Sequence, residues 1–164
     1  MQRILTNARV FTALDETVIE DGCVCIDGNQ IIYAGESAGK PNMEPDSISH
    51  NLEGRFVMPG MTETHAHLSF ADASPFAIGD TMVEDATITA VKNSRLMLAS
   101  GFTSAVSFGS TYQIDIALRA AINSGRVIGP RLLAAGRDLG ATSSNVDSPG
   151  GLSQIADGPW SLRK

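Results

Sequence analysis

An α/β fold is what this sequence predicts, with a small β-sheet first and parallel β/α units after it. Two observations carry the prediction. Up to about residue 58 the apolar residues come in short, partly alternating runs separated by turn residues, which is the pattern of strands. Beyond Pro59-Gly60, β-rich runs alternate with longer helical ones, which is the order of parallel β/α units. The 164 residues lie in the single-domain range, and a 43% hydrophobic content supports a buried core.

The elements follow in order. Arg3 to Val10 reads as a short mixed strand. Thr17 to Asp27 reads as a second, Asp27-Gly28-Asn29 supplies turn chemistry, and Gln30 to Gly35 closes a hairpin. Gly39 to Ser47, with two prolines, reads as a loop. A strand around Ser49 to Leu52 leads through Glu53-Gly54-Arg55 to Phe56-Val57-Met58, and a small antiparallel sheet is expected from these pieces.

After Pro59-Gly60, Met61 to Phe70 reads as a strand and Ala71 to Asp80 as a loop. Val83 to Ser100 carries Ala86, Ala90, Val91, Leu96, Met97 and Leu98 and is closed by Gly101, a helix with a glycine stop. Phe102 to Phe108 is β-rich. Ile114 to Ile122 is a second amphipathic helix ended by Gly125, and Leu132 to Ala135 is a buried strand. A loop rich in glycine and serine runs from Gly136 to Gly158. Pro159 to Lys164 reads as the opening turn of a third helix, with Pro159 at its first position. The chain thus stops with a helix barely begun, so the sequence is expected to be unfinished.

A formal net charge of −6 argues against nucleic acid and anionic membrane as partners, since both need basic patches. No apolar run reaches the roughly 18 residues of a membrane span, and the N-terminus lacks the apolar core of a signal peptide. A cytoplasmic location is the resulting expectation.

The chemistry concentrates in Val57-Met58-Pro59-Gly60-Met61-Thr62-Glu63-Thr64-His65-Ala66-His67-Leu68. On a strand, residues i and i+2 share a face. His65 and His67 therefore project together, close enough to share one metal ion, and imidazole suits zinc and neighbouring divalent metals. The plainer alternative is a pair of strand histidines with structural hydrogen bonds. Cys23 and Cys25 form a C-x-C, read either as a thiolate pair for a soft metal or as two small apolar residues on one strand face. His50 reads as a solvated surface residue. Asp80, Glu84 and Asp85 cluster at a helix start, where they complement the dipole. The glycines at 136, 140, 150, 151 and 158 form no phosphate loop, because no Gly-Lys-Ser/Thr follows.

These residues resemble the amidohydrolase superfamily, specifically the N-terminal portion of its imidazolonepropionase- and prolidase-like members. Pro59-Gly60 with His65-x-His67 carries the resemblance. Gly101-Phe102-Thr103-Ser104-Ala105-Val106 is similar to the second barrel strand, Gly125 and Gly129-Pro130-Arg131 precede the third, and Ala156-Asp157-Gly158-Pro159 leads into a helix. The resemblance implies a composite β-sandwich part at residues 1–58. It assigns residues 59–164 to the first two to three β/α units of an incomplete (β/α)8 TIM-like barrel, a fold that alone takes about 250 residues.

It also implies a metal-dependent hydrolase of C–N bonds in amides, cyclic amides or dipeptides. His65 and His67 would be ligands for zinc or another divalent metal, with one or two ions bound. The other ligands and the catalytic aspartate would come from later strands, so this chain would hold no catalytic residue of its own. Asp138, after the third strand, would lie on the face where such sites form, as a substrate contact or a loop cap.

Three positions depart from the family pattern. Glu63 stands where Asp is usual, and it could orient an imidazole from behind. Ser107-Phe108 replaces a frequent Arg-Asp, and Ala141-Thr142-Ser143-Ser144-Asn145 lacks a Gly-His-Gly. A second reading makes the chain a truncated, inactive product, a homo-oligomer or one associated with the missing remainder, because three parallel strands leave an unpaired edge.

Overall fold

The computed structural model describes residues 1–71, 81–144, 147 and 153–163. The chain divides into two compact units, Met1–Pro59 and Gly60–Lys164.

The first unit is one five-stranded sheet. Its strands are β1 (Gln2–Phe11), β2 (Val18–Asp27), β3 (Gln30–Glu36), β4 (Ile48–Asn51) and β5 (Phe56–Val57). The order is β3-β2-β1-β4, with β5 also on β1. The hairpin between β2 and β3 turns at Gly28, whose φ of 59° glycine adopts without strain. The expected antiparallel sheet is corrected to a mixed one: β2 runs antiparallel to β1 and β3, but β4 and β5 lie parallel to β1. Alternation marks a strand but carries no direction, and the long connection after β3 returns the chain to the far side of β1.

Each face of this sheet has its own apolar cluster. Ile4, Cys23 and Cys25 pack with Tyr33 and Met43, and Ala8, Val10 and Val24 pack with Leu5, Ile19, Ile26, Leu52 and Val57. Both cysteines are buried and free. Burial, then the neighbouring Cys25, pushes the Cys23 thiol up, away from the thiolate that a soft metal needs. The apolar role is the one the packing favours. His50 lies exposed on β4.

The second unit contains the parallel sheet β6-β7-β8: β6 (Met61–Ala66), β7 (Phe102–Ser107) and β8 (Arg131–Ala134). Helix α1 (Val83–Ala99) connects β6 to β7, and α2 (Ile114–Asn123) connects β7 to β8. Helix α1 buries Ala86, Ala90 and Ser94, spaced by four so that they share one stripe. Small side chains there let the helix approach the sheet closely. The core joins Leu68, Ala86, Ala90, Ala105, Ile114, Leu118 and Leu132. Gly101, at φ 92°, and Gly125, at φ 74°, end the two helices as the sequence predicts. Glu84 and Asp85 lie in the first turn of α1.

Three further expectations are corrected. Strand β6 ends at Ala66 rather than at Phe70, because its partner β7 ends at Ser107 and the chain then turns, with the Phe70 amide donating to the His67 carbonyl at 3.2 Å. The loop expected over 136–158 contains two short parallel strands, β9 (Asp138–Gly140) and β10 (Ser153–Ile155). Three residues are too few for alternation to register. Helix α3 (Gly158–Ser161) begins one residue early, so Pro159 is its second residue. Residues 72–80 of the expected loop, Asp80 among them, lie outside the described residues, as do Asn145, Gly150 and Gly151. Among the described residues no helix is long and apolar enough to cross a membrane.

Asp115 is the buried polar joint of this unit, at 1% exposure. One carboxylate oxygen accepts the Ile116 amide at 2.8 Å and the other the Gly136 amide at 3.0 Å. Asp115→Ala leaves both amides without that acceptor, and the expected cost is about 3 kcal/mol. Urea denaturation followed by circular dichroism measures it. A change below about 0.5 kcal/mol, the range of ordinary surface substitutions, would refute the joint.

Candidate functional site

The carboxyl ends of β6, β7 and β8 lie together, the end of a parallel sheet at which ligands bind. His65 lies near the end of β6 and His67 just past it, Phe108 and Gly109 follow β7, and Asp138 follows β8.

The approach to the histidines is irregular. Glu63 pairs with Ala105 and Ala66 with Ser107, so three steps on β6 oppose two on β7. That extra residue is a bulge, a device that re-aims side chains at strand ends. His65 falls inside it, and His67 lies just past the strand. The i, i+2 relation survives, and the two Nε2 atoms converge to 3.2 Å. His67 Nδ1 lies 3.1 Å from the Gly109 carbonyl oxygen. A carbonyl only accepts, so the proton of a neutral His67 ring is on Nδ1 and its Nε2 carries a lone pair.

Aromatic rings fix both imidazoles. His65 stacks on Phe108 with centroids 4.7 Å apart and planes 13° apart, and His67 stacks on Phe70 at 4.7 Å and 1°. The turn after His67 is clamped from α1, where the Asn93 amide donates to the Leu68 and Phe70 carbonyls at 2.9 and 3.0 Å. Ser69 then ties this turn to the loop after β7, its hydroxyl accepting from the Thr111 amide and the hydroxyls of Thr111 and Ser110.

Glu63 does not orient an imidazole. Its carboxylate accepts the backbone amide of His65 at 3.0 Å. The side chain folds back along its own strand and binds the backbone two residues on, as Asp15 also does at Thr17. That correction moves Glu63 from the ring to the bulge that aims it.

Asp138 approaches from the other side. Burial raises its carboxyl above the usual carboxylate range, with a smaller push from Asp115, while His67 and His65 pull it down. Both imidazoles are therefore within electrostatic reach of this carboxylate. A Cβ at Gly109 would overlap it, so Asp138 is seated directly against the Gly109 backbone.

The separation of the two Nε2 atoms is that of a ring-to-ring hydrogen bond, and it is compatible with a shared divalent ion. Two zinc–nitrogen bonds at a tetrahedral angle hold their nitrogens about 3.3 Å apart, and the Nε2 atoms here are 3.2 Å apart. Among the described residues no group of three or more His, Cys, Asp or Glu side chains converges on one point. The pair alone is the candidate ligand set. Nothing in the sequence alone distinguishes Asn93, Ser69, Ser110, Thr111 and Gly109 as site residues. The only signal of the last four is a run of small polar residues beyond a strand end, which is also what any loop looks like, and Asn93 is one polar residue within a helix.

Residues 56–152 match the sequence profile of the amidohydrolase family. The imidazolonepropionase of Roseobacter denitrificans is 37% identical over 70 residues, 41% of this chain and 18% of that enzyme. A solved structure of an uncharacterized protein superposes with a TM-score of 0.85 at 25% identity, over 99% of this chain and 42% of that one. A prolidase crystallised with N-methylphosphonate-L-proline superposes with a TM-score of 0.80 at 24% identity, over 96% of this chain and 41% of that one. The chain thus spans about two fifths of the length of these solved structures.

The His67 geometry makes a direct prediction for the metal-free protein. Long-range 1H–15N correlation spectra at neutral pH are expected to show His67 as the Nδ1–H tautomer. An Nε2–H signature would refute the carbonyl bond as drawn.

Proposed function

The chain belongs to the amidohydrolase family, and from that membership we propose that it carries the first-strand metal ligands of a metal-dependent hydrolase of C–N bonds. The observation that carries this reading is the convergence of His65 and His67 Nε2, at 3.2 Å, beyond the carboxyl end of β6. Residues 1–58 are then the N-terminal part of a composite β-sandwich. Residues 59–164 are the first two to three β/α units of a (β/α)8 barrel, a division supported by the two compact units. Zinc or a related divalent ion, as one or two ions, is held by His65 and His67. When bound, such an ion supplies Lewis acidity, lowering the pKa of water toward about 7 and polarising a carbonyl.

The chain's own residues do the positioning. Gly109 keeps a proton on His67 Nδ1, which leaves the Nε2 lone pair, 3.2 Å from His65 Nε2, as the one to ligate. Glu63 holds the His65 backbone amide, and Phe108 and Phe70 restrict the rotation of the rings. The substrate is a small amide, cyclic amide or dipeptide, in keeping with the names of the imidazolonepropionase and prolidase relatives. Phe108 is 53% exposed beside His65 and offers that substrate an apolar flank in place of charge.

One observation favours a second reading, in which the 164-residue chain binds metal without turnover: no third donor side chain joins the pair among the described residues. Exposed Leu133 and Leu139 on β8 and β9 also favour self-association.

Cobalt or zinc titration of the purified chain tests the metal reading. Weak binding is expected, and His65→Ala or His67→Ala is expected to abolish it. Binding unchanged in both variants would refute the ligand assignment. Dipeptide and cyclic-amide substrates are then screened with metal present. Turnover lost in His67→Ala supports the hydrolase, and metal binding without turnover supports the second reading. Sedimentation equilibrium is expected to show association, which a clean monomer would contradict.

A further inference from the structure

We propose that Asp138 is a positioning residue for the cation held by His65 and His67: its carboxylate, seated on the Gly109 backbone, lends the pair negative potential and keeps the Gly109 carbonyl on His67 Nδ1. The inference rests on the metal reading of the two histidines.

Three observations converge on it. The space that a Cβ would occupy at Gly109 is filled by the Asp138 carboxylate. Only glycine permits that approach, and Gly109 also holds φ 153°, a conformation unfavourable for other residues. The same glycine presents its carbonyl to His67 Nδ1 at 3.1 Å. One backbone residue therefore joins the carboxylate to the ligand ring. Asp138 in turn is held at the start of β9 by a fixed approach, since the Gly136 amide is bonded to buried Asp115 at 3.0 Å.

The charge balance points the same way. Among the described residues the one ion pair joins Arg9 to Glu20, so no arginine or lysine meets Asp138 there. Adjacent Arg137 turns its guanidinium to the Tyr112 carbonyl at 3.0 Å. A half-buried carboxylate without a basic partner is unfavourable alone. Imidazole ligands bring a metal no negative charge of their own. A divalent ion held by the imidazoles would offset the first and complete the second, in the manner of outer carboxylates at metal sites.

The test compares the wild-type chain with Asp138→Asn, which keeps the shape and removes the charge. Cobalt binding is followed by its visible absorption and zinc binding by calorimetry. The expected result is affinity about tenfold weaker, with the cobalt spectrum and the melting temperature unchanged. Equal affinity in the two proteins would overturn the proposal. So would a changed cobalt spectrum, because that makes Asp138 a direct ligand. Gly109→Ala, whose methyl group displaces the carboxylate, is expected to show the same loss. Should wild-type binding be insensitive to His65→Ala and His67→Ala, the metal reading fails and takes this inference with it. Binding abolished by those variants but untouched by Asp138→Asn sinks this inference alone.

Discussion

The second unit is organised by a buried polar seam that joins the loops beyond its three parallel strands. Ser69, Ser110, Thr111 and Asp115 are each nearly or fully buried. Ser69 follows β6, Ser110 and Thr111 follow β7, and Asp115 opens α2 and reaches the chain beyond β8 at Gly136. Loops carry backbone groups that a sheet no longer pairs, and burying them requires partners. Hydroxyls and one carboxylate supply those partners here. The sheet's own hydrogen bonds space the three strand ends, and the seam fixes how the loops beyond them pack against one another.

The histidine pair depends on that loop packing. A bulge aims His65 and a turn holds His67, but neither feature alone sets the ring positions. Gly109 can meet His67 Nδ1 only because the loop after β7 is drawn toward Ser69. Phe108 reaches the face of His65 from the same short segment. Asn93 closes the arrangement from the helix side. The rings are thus held before any ligand arrives, which reduces the ordering cost of binding one. Glycine at 109 is needed twice, for its backbone conformation and for the carboxylate that lies against it.

Residues with a local signature were legible in the sequence. Gly101 and Gly125 stop helices wherever the tertiary fold puts them, and the hairpin at Gly28 needs only its own turn chemistry. The pairing of His65 with His67 was legible for the same reason, since i and i+2 share a face over one local step. Other features had no local signature. The parallel direction of β4 and β5 depends on a connection, not on their residues. The short β9 and β10 exist only as partners of each other. Glu63 could be assigned to the right strand but not to the backbone amide it binds, because the bulge comes from mismatch with β7.

By itself, then, the sequence determined the order of the longer strands and helices, the change of architecture at Pro59-Gly60, and a pair of histidines whose rings meet. These depend on periodicity, turn residues and side-chain type, which act over a few neighbouring positions. Only the tertiary structure decided that Gly109 orients His67, that Asp115 anchors the chain leading to Asp138, and that Asp138 is seated against the Gly109 backbone. Those contacts join residues tens of positions apart. They arise from packing three loops around one buried set of hydrogen bonds, and no local pattern encodes that.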